Sequence, residues 1–302
     1  MRFATVDVGT NAAKLLIADS EDGGRLRSVA ERRHMIRLGE GVDASGRIRP
    51  AAMERLIGSL KEFERVAGQF DVDQFIVVGT SASRDAREDL AKTVHLRTGL
   101  NYEILSGDEE ADWSFWGALA DLPGLTGPCI TCDIGGGSTE VVFGQSGGTI
   151  ESRYSLNIGS VRVTERFFTT QPPSAGEIWQ ATEFIRRNLA SCTLPRDNLA
   201  VLVGASDTHR LLLNLVDRPL ESLRQLAQQD IAAFQQHLMT LGLDEVLALN
   251  KRDLSGRADV FPAAVLICSE VMRYLNKETI TVSRWGLCHG LVLRSVQWQS
   301  AG

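Results

Sequence analysis

The chain has 302 residues, 43% hydrophobic and 23% charged, with a formal net charge of −6. That composition suits one large or two ordinary globular domains, and the acidic balance excludes a general nucleic-acid binder. No apolar run approaches the roughly 20 residues of a membrane helix, and Asp7 interrupts the stretch where an export signal would run, so a cytoplasmic protein without a membrane partner is expected.

Along the chain, the first feature is Thr5-Val6-Asp7-Val8-Gly9-Thr10-Asn11, an acidic glycine turn between the apolar run before it and Lys14-Leu15-Leu16-Ile17 after it. Arg32, Arg33 and Arg37 follow in a group before Gly39-Glu40-Gly41. Ala51 to Phe70 has helical spacing, with Met53, Leu56, Ile57, Leu60, Phe63 and Val66 on one side. Phe75-Ile76-Val77-Val78 reads as a buried strand running into Gly79-Thr80-Ser81 and a helix start that carries Arg84. Tyr102 to Leu105 reads as another strand, and Asp108 to about Leu119 as a helix. Pro123-Gly124 is a turn and the predicted domain boundary.

Beyond it the opening feature recurs. Thr131-Cys132-Asp133-Ile134-Gly135-Gly136-Gly137-Ser138 follows one apolar run and leads into Glu140-Val141-Val142-Phe143. Strand, acidic glycine turn, strand thus occurs twice, with each copy opening an α/β domain. The boundaries predicted are 1–125 and 126–302, with the last helix a candidate to pack back on the first domain. The second half continues with a strand at Ile150 to Ser155, helices from Val161 and Ala175, and a strand at Leu199 to Val203 ending at Gly204-Ala205-Ser206. Helices at Leu223 to Leu249 and Val260 to Leu275, a strand at Thr279 to Ser283 and a helix from Leu287 complete it. Five cysteines, an odd number, argue against a disulfide framework, and Cys129-Ile-Thr-Cys132 reads as a buried strand because no second metal-binding pair accompanies it.

These segments point to phosphate chemistry. Three glycines at 135–137 let backbone N–H groups approach a phosphate closely. Asp133 at the strand end and Glu140 at the start of the next are candidate magnesium ligands, since magnesium takes a few carboxylates plus phosphate and water. Asp7, Gly9, Thr10 and Asn11 would face them, with amides and side chains as phosphate donors. Arg84, at a helix N-terminus after a strand, is suited to grip phosphate oxygens. Asp108 and Glu109 need no more than the helix dipole to explain them, and spacing alone does not select Glu110. Arg37 and Arg162 are candidates to line a polyanion path, and Ser206 lies in the late loop.

Together these segments resemble the exopolyphosphatase and guanosine pentaphosphate phosphatase (Ppx/GppA) family of the actin-like superfamily. The matches are VDVGTNAAKLLIAD at 6–19, IRLGEGVDASGRI at 36–48, GTSASRDA at 79–86, LSGDEEA at 105–111, CDIGGGSTEVVFG at 132–144, SLNIGSVRVTERF at 155–167, RADVFPAAVLI at 257–267 and TVSRWGLCHG at 281–290. The resemblance implies two ribonuclease-H-like α/β domains with mixed five-stranded sheets and an active site in the cleft between them. It implies Glu110 as activator of the attacking water, Asp133 and Glu140 at a magnesium or manganese site, and Arg84, Asn11 and the amides of Gly135, Gly136 and Gly137, with Ser138, around phosphate. The expected substrate is inorganic polyphosphate, or alternatively guanosine pentaphosphate or tetraphosphate. A kinase and a non-catalytic sensor of the same fold are the competing readings. A homodimer is expected as well, although no interface is legible. The length resembles the family's short two-domain members. The chain departs from the family at Ala12, where serine is common, at Asp112 and Cys288, where arginine is frequent, and in the loop Gly204 to His209.

Overall fold

A computed structural model describes residues 1–21, 25–87, 89–196, 199–216 and 224–300. The chain divides into two units: Met1–Asp121 with Trp285–Gly302, and Leu122–Arg284. The boundary thus falls slightly before the Pro123-Gly124 turn, and the closing segment groups with unit 1.

Unit 1 runs β1 (Arg2–Val8), β2 (Ala12–Ser20), β3 (Leu26–Met35), α1 (Val42–Ser45), α2 (Pro50–Ala67), β4 (Gln74–Gly79), α3 (Ser81–Asp85), α4 (Leu90–Thr98), β5 (Glu103–Ile104) and α5 (Gly107–Ala120). Its sheet has the order β3-β2-β1-β4-β5, with β1, β2 and β3 antiparallel and β4 and β5 joined in parallel. Alternation along β1 and β2 assigns the two faces. Ala4, Val6, Val8, Ala13, Leu15 and Ile17 bury against Leu56, Leu60 and Phe63 of α2. Phe3, Leu16 and Ala18, on the opposite face, bury with Val292 of the closing helix α13 (Leu287–Ser300). Asp7 and Lys14 have the parity of this second face, where the Thr5 hydroxyl also donates to the Cys288 carbonyl at 3.0 Å.

Unit 2 runs β6 (Pro128–Ile134), β7 (Thr139–Gln145), β8 (Ile150–Leu156), α6 (Ser160–Phe167), α7 (Ala175–Leu189), β9 (Val201–Gly204), α8 (Asp207–Leu215), β10 (Gln225–Ala227), α9 (Gln228–Leu238), α10 (Leu243–Leu249), α11 (Lys251–Leu254), α12 (Phe261–Tyr274) and β11 (Thr279–Val282). The sheet order is β10-β11-β9-β6-β7-β8. Read from β8, this repeats the order of unit 1 and adds β10 at the far edge, antiparallel to β11. The expected five strands are therefore six here. The helix start expected at Leu223 lies outside the described residues, and the helical stretch to Leu249 is two helices separated near Thr240 to Gly242. Ile130, Cys132, Ile134 and Val141 join a core with Ile185 of α7 and Ala263, Ala264 and Ile267 of α12. Asp133 and Glu140 have the opposite parity and leave that core.

Candidate active site

In unit 1 the C-terminal ends of three parallel strands lie side by side. Val8 of β1 pairs with Gly79 of β4, and Gly79 with Ile104 of β5. Each leads into a segment singled out above: Gly9 to Asn11, Thr80 to Arg84, and Ser106 to Glu110. Unit 2 repeats the arrangement. The Ala205 amide donates to the Cys132 carbonyl and the Ser283 amide to that of Gly204, both at 2.9 Å, so the glycine turn and the Ser206 loop leave adjacent strand ends. Ligands of α/β sheets gather at such carboxyl edges.

The two acidic glycine turns are built alike. Gly9 N–H donates to the Ala12 carbonyl at 3.0 Å, and Gly135 N–H to that of Ser138 at 2.9 Å. A Cβ at either glycine would press on that carbonyl, at 3.1 and 3.0 Å. In unit 2, the amides of Ser160, Val161 and Arg162 at the start of α6 donate to the carbonyls of Gly135 and Gly136, at 2.8 to 3.2 Å. Arg162 Nε donates to the Gly137 carbonyl at 2.8 Å. A trans peptide directs its N–H opposite its C=O. Pinning three carbonyls towards α6 therefore turns the amides of Gly136, Gly137 and Ser138 the other way. Gly135, expected among the phosphate donors, instead closes the turn with its amide. Arg162, expected on a polyanion path, is buried and braces the turn. In unit 1 the amides of Ile36 and Arg37 donate to the Asn11 carbonyl, and Gly39 N–H to that of Thr10, at 2.8 to 3.0 Å. That orients the amides of Asn11 and Ala12 in the same way. Arg37 adopts a left-handed backbone, φ 47°, beside the turn, with its side chain 4.0 Å from Glu40.

The carboxylates differ between the copies. Asp133 stands opposite Glu140 across β6 and β7, whereas Asp7 stands opposite Lys14 across β1 and β2. Directly opposed residues share a face within about 5.5 Å between Cβ atoms. Unit 2 thus presents two carboxylates and unit 1 an acid beside a base. Glu140 is almost fully buried, and its Oε1 accepts from the Ser155 hydroxyl at 2.8 Å. Burial raises the Cys132 thiol pKa well above its usual value, and Cys268 and the negative charges of Asp133 and Glu140 push it further. Among the described residues no group of three or more His, Cys, Asp or Glu forms a metal cage. Two hard oxygen donors beside a phosphate-sized turn fit magnesium, which leaves most of its shell to water and substrate. Asp133 and Glu140 are the residues that would hold it.

Glu110 sits in the first turn of α5, fixed by a capping box in which the Ser106 hydroxyl accepts from Glu109 N–H at 3.2 Å and Glu109 Oε2 accepts from Ser106 N–H at 2.8 Å. Arg84 Nη1 donates to Glu110 Oε2 at 2.7 Å and to the Leu105 carbonyl at 3.0 Å. The arginine expected to hold phosphate is therefore also the partner of the expected base. Glu110 is buried, so a nearby cation matters more than at a surface. Ser206 caps α8, its hydroxyl 2.8 Å from His209 Nδ1. Its amide donates to the same nitrogen at 3.3 Å, which makes Nδ1 an acceptor and the ring neutral. Burial, followed by the charge of Arg210, lowers the His209 pKa to about 3. Cys288 lies with its Sγ 3.9 Å from the Lys14 carbonyl, and burial raises its thiol to about 12. Sequence reading missed Ser155 and the Lys14 contrast. Both follow from strand register, which the flanking glycine turns could have supplied.

Two sheets of one topology, each opening on an acidic glycine turn, define an actin-like protein. The Ppx/GppA phosphatase family matches residues 16–298, and the chain belongs to that family. Exopolyphosphatase 2 of Mycobacterium tuberculosis is 32% identical over 97% of this chain and 98% of its own. Exopolyphosphatase 1 of Mycobacterium bovis is 27% identical over the whole chain and 90% of its own. The crystal structure of an exopolyphosphatase-like protein superposes with a TM-score of 0.87 at 28% identity, covering 97% of each chain. The Aquifex aeolicus Ppx/GppA family member superposes at 0.79 and 28%, covering 99% and 98%. No described helix is long and apolar enough to cross a membrane.

Proposed function

We propose that this protein is an exopolyphosphatase that hydrolyses the terminal phosphoanhydride of inorganic polyphosphate. The observation that carries the reading is the glycine turn of unit 2. Its carbonyls are held by α6, its amides face away, and two carboxylates stand in register beside it. The names of the relatives support polyphosphate as the substrate. Phosphoryl transfer asks little covalent chemistry of a protein and much positioning and charge neutralisation.

In this reading the amides of Gly136, Gly137 and Ser138 hold phosphate oxygens, with Asn11 and the first turn as the second set of donors. Glu110 takes a proton from water as the water oxygen attacks the terminal phosphorus and the bridging P–O bond breaks towards the remaining chain. Arg84 orients Glu110 and favours its ionised form, the form that accepts a proton. Lys14 opposite Asp7 makes the first turn an anion site rather than a second cation site. Magnesium or manganese, when bound at Asp133 and Glu140, offsets charge on the transferred group.

The test is phosphate release with magnesium from long polyphosphate, tripolyphosphate and guanosine pentaphosphate, using wild type and Glu110→Gln. Release from polyphosphate, lowered on the order of 1,000-fold in Glu110→Gln, is expected. Release from the nucleotide alone would reassign the substrate. Binding without release from any would make the chain a sensor.

A further inference from the structure

The C-terminal helix α13 bears on the helix that carries Glu110, and the contact is made by backbone. A Cβ at Gly290 would lie 2.6 Å from the Trp113 carbonyl carbon, 3.0 Å from its Cα and closer still to its oxygen. A Cβ at Gly117 would lie 2.8 Å from Gly290 N and 2.9 Å from the Gly286 carbonyl carbon. Contacts below 3.0 Å cannot be absorbed when the neighbour is main chain. Gly286 immediately precedes α13 and Gly290 lies in its first turn, and Trp113 and Gly117 are one turn apart on α5. Glu110 is three residues before Trp113, on the same side of α5. The two helices thus approach without side chains between them, one turn beyond the carboxylate.

A second tie lies on the other side of that carboxylate. Arg294 of α13 donates through Nη1 and Nη2 to Glu103 of β5, at 2.9 and 2.6 Å. Its guanidinium also lies over the Trp113 ring, 6.0 Å from the centroid. Arg294 is nearly fully buried while the Glu103 carboxylate it holds is exposed, so the tie is anchored on the α13 side. Residues 103 to 117, with Glu110 near their middle, are therefore gripped by α13 at both ends.

Resting on the reading of Glu110 as the base, we propose that Gly290, Gly117 and the Arg294–Glu103 pair are positioning residues for catalysis. They set the placement of α5 at which the Glu110 carboxylate meets Arg84. They touch neither substrate nor metal. Their effect passes through the rigid first turns of α5, whose cap at Ser106 keeps Glu110 moving with the helix.

The test compares wild type, Gly290→Ala and Glu103→Gln on tripolyphosphate with magnesium, with Glu110→Gln alongside and each melt recorded by calorimetry. Displacing a reacting group by about 1 Å costs on the order of 100-fold, so Gly290→Ala should lose kcat by about tenfold to 100-fold. KM should stay within about twofold, because the phosphate donors are untouched. The acid limb of the kcat profile should move to higher pH as Glu110 loses its alignment with Arg84. Glu103→Gln adds no bulk, and its smaller kcat loss should run in the same direction. Unchanged kcat in a folded Gly290→Ala variant overturns the proposal, as does a loss that only tracks the folded fraction with the pH limb unmoved. If Gly290→Ala gives no cooperative melt, Glu103→Gln decides on the same criteria. Full activity in Glu110→Gln would instead sink the base assignment itself, and this proposal with it.

Discussion

Arg84 and Glu110 share one hydrogen bond, and removing the arginine has two separable effects. Arg84→Met withdraws a cation from a buried carboxylate, so the pKa of Glu110 rises and the acid limb of kcat/KM shifts to higher pH. Under the proposed function it also withdraws a phosphate ligand, so kcat/KM at the optimum should fall on the order of 100-fold. A rate loss without the limb shift would show that Arg84 serves phosphate alone. His209 gives a second prediction, for stability. Its folded pKa of about 3 lies below the ordinary 6.5. Between these values the unfolded chain binds the extra proton, so stability falls as pH drops from 6.5 towards 3. His209→Asn keeps an acceptor for the Ser206 amide and does not titrate. The stability of wild type relative to this variant should therefore decline by up to about 1.4 kcal/mol per pH unit across that window, measured by denaturant titration. A difference that stays flat with pH would mean that the imidazole is not held neutral.

At the scale of elements, glycines divide by what surrounds them. Gly58 lies in the interior of α2 with nothing within 4 Å of a would-be Cβ, and Gly58→Ala should stabilise by about 0.5–1 kcal/mol. Gly159, the N-cap of α6, would place a Cβ 2.5 Å from the Gly137 carbonyl carbon. Gly159→Ala must push α6 off the glycine turn, costing about 1–3 kcal/mol in a thermal melt and weakening phosphate binding more than it weakens the fold. The same elements show what the sequence reveals and what it hides. The repeated turns were legible because each sits between apolar runs, and their Asp and Gly positions coincide in the structure down to the closing hydrogen bond. The segments of α5 and α12 were read as helices as well, and the helix α2 was legible from its apolar spacing. β3 was not, because Leu26 to Met35 is an edge strand with much of its length in solvent, and its arginines and glutamate hid any alternation. β5 was read as a strand over Tyr102 to Leu105, of which only Glu103–Ile104 pair, whereas β10, three residues inside the stretch read as a helix from Leu223, is too short for a pattern to declare itself. Within the candidate site, Asp133, Glu140 and Glu110 were singled out as candidates through the motif. The roles of Gly135 N–H and Arg162 were not legible, since they depend on which way a peptide plane turns, and no residue type encodes that.

On the scale of the whole molecule, unit 1 is assembled from both ends of the described chain. α13 fills one face of its sheet, with Val292 against Phe3, Leu16 and Ala18, and Leu287 and Leu291 against Val78 and Leu105. Each such side chain contributes about 1.5–3 kcal/mol when buried, so a chain ended after Arg284 should lose several kcal/mol from unit 1 alone. Calorimetry should then show the transition of unit 1 lost or strongly lowered and that of unit 2 kept. Equal melting of both units in wild type and truncated chain would refute it. This arrangement also bears on synthesis. A ribosome releases Met1–Asp121 first, then all of Leu122–Arg284, and only then the residues that complete unit 1. At 5–20 residues per second the interval lasts roughly ten to thirty seconds. At the end of that time unit 2 has its full complement of strands and helices while the face of Phe3, Leu16 and Ala18 still stands bare. Unit 2, which starts later in the chain but is completed earlier, should therefore fold first, and the nascent N-terminal half should be the part that chaperones hold.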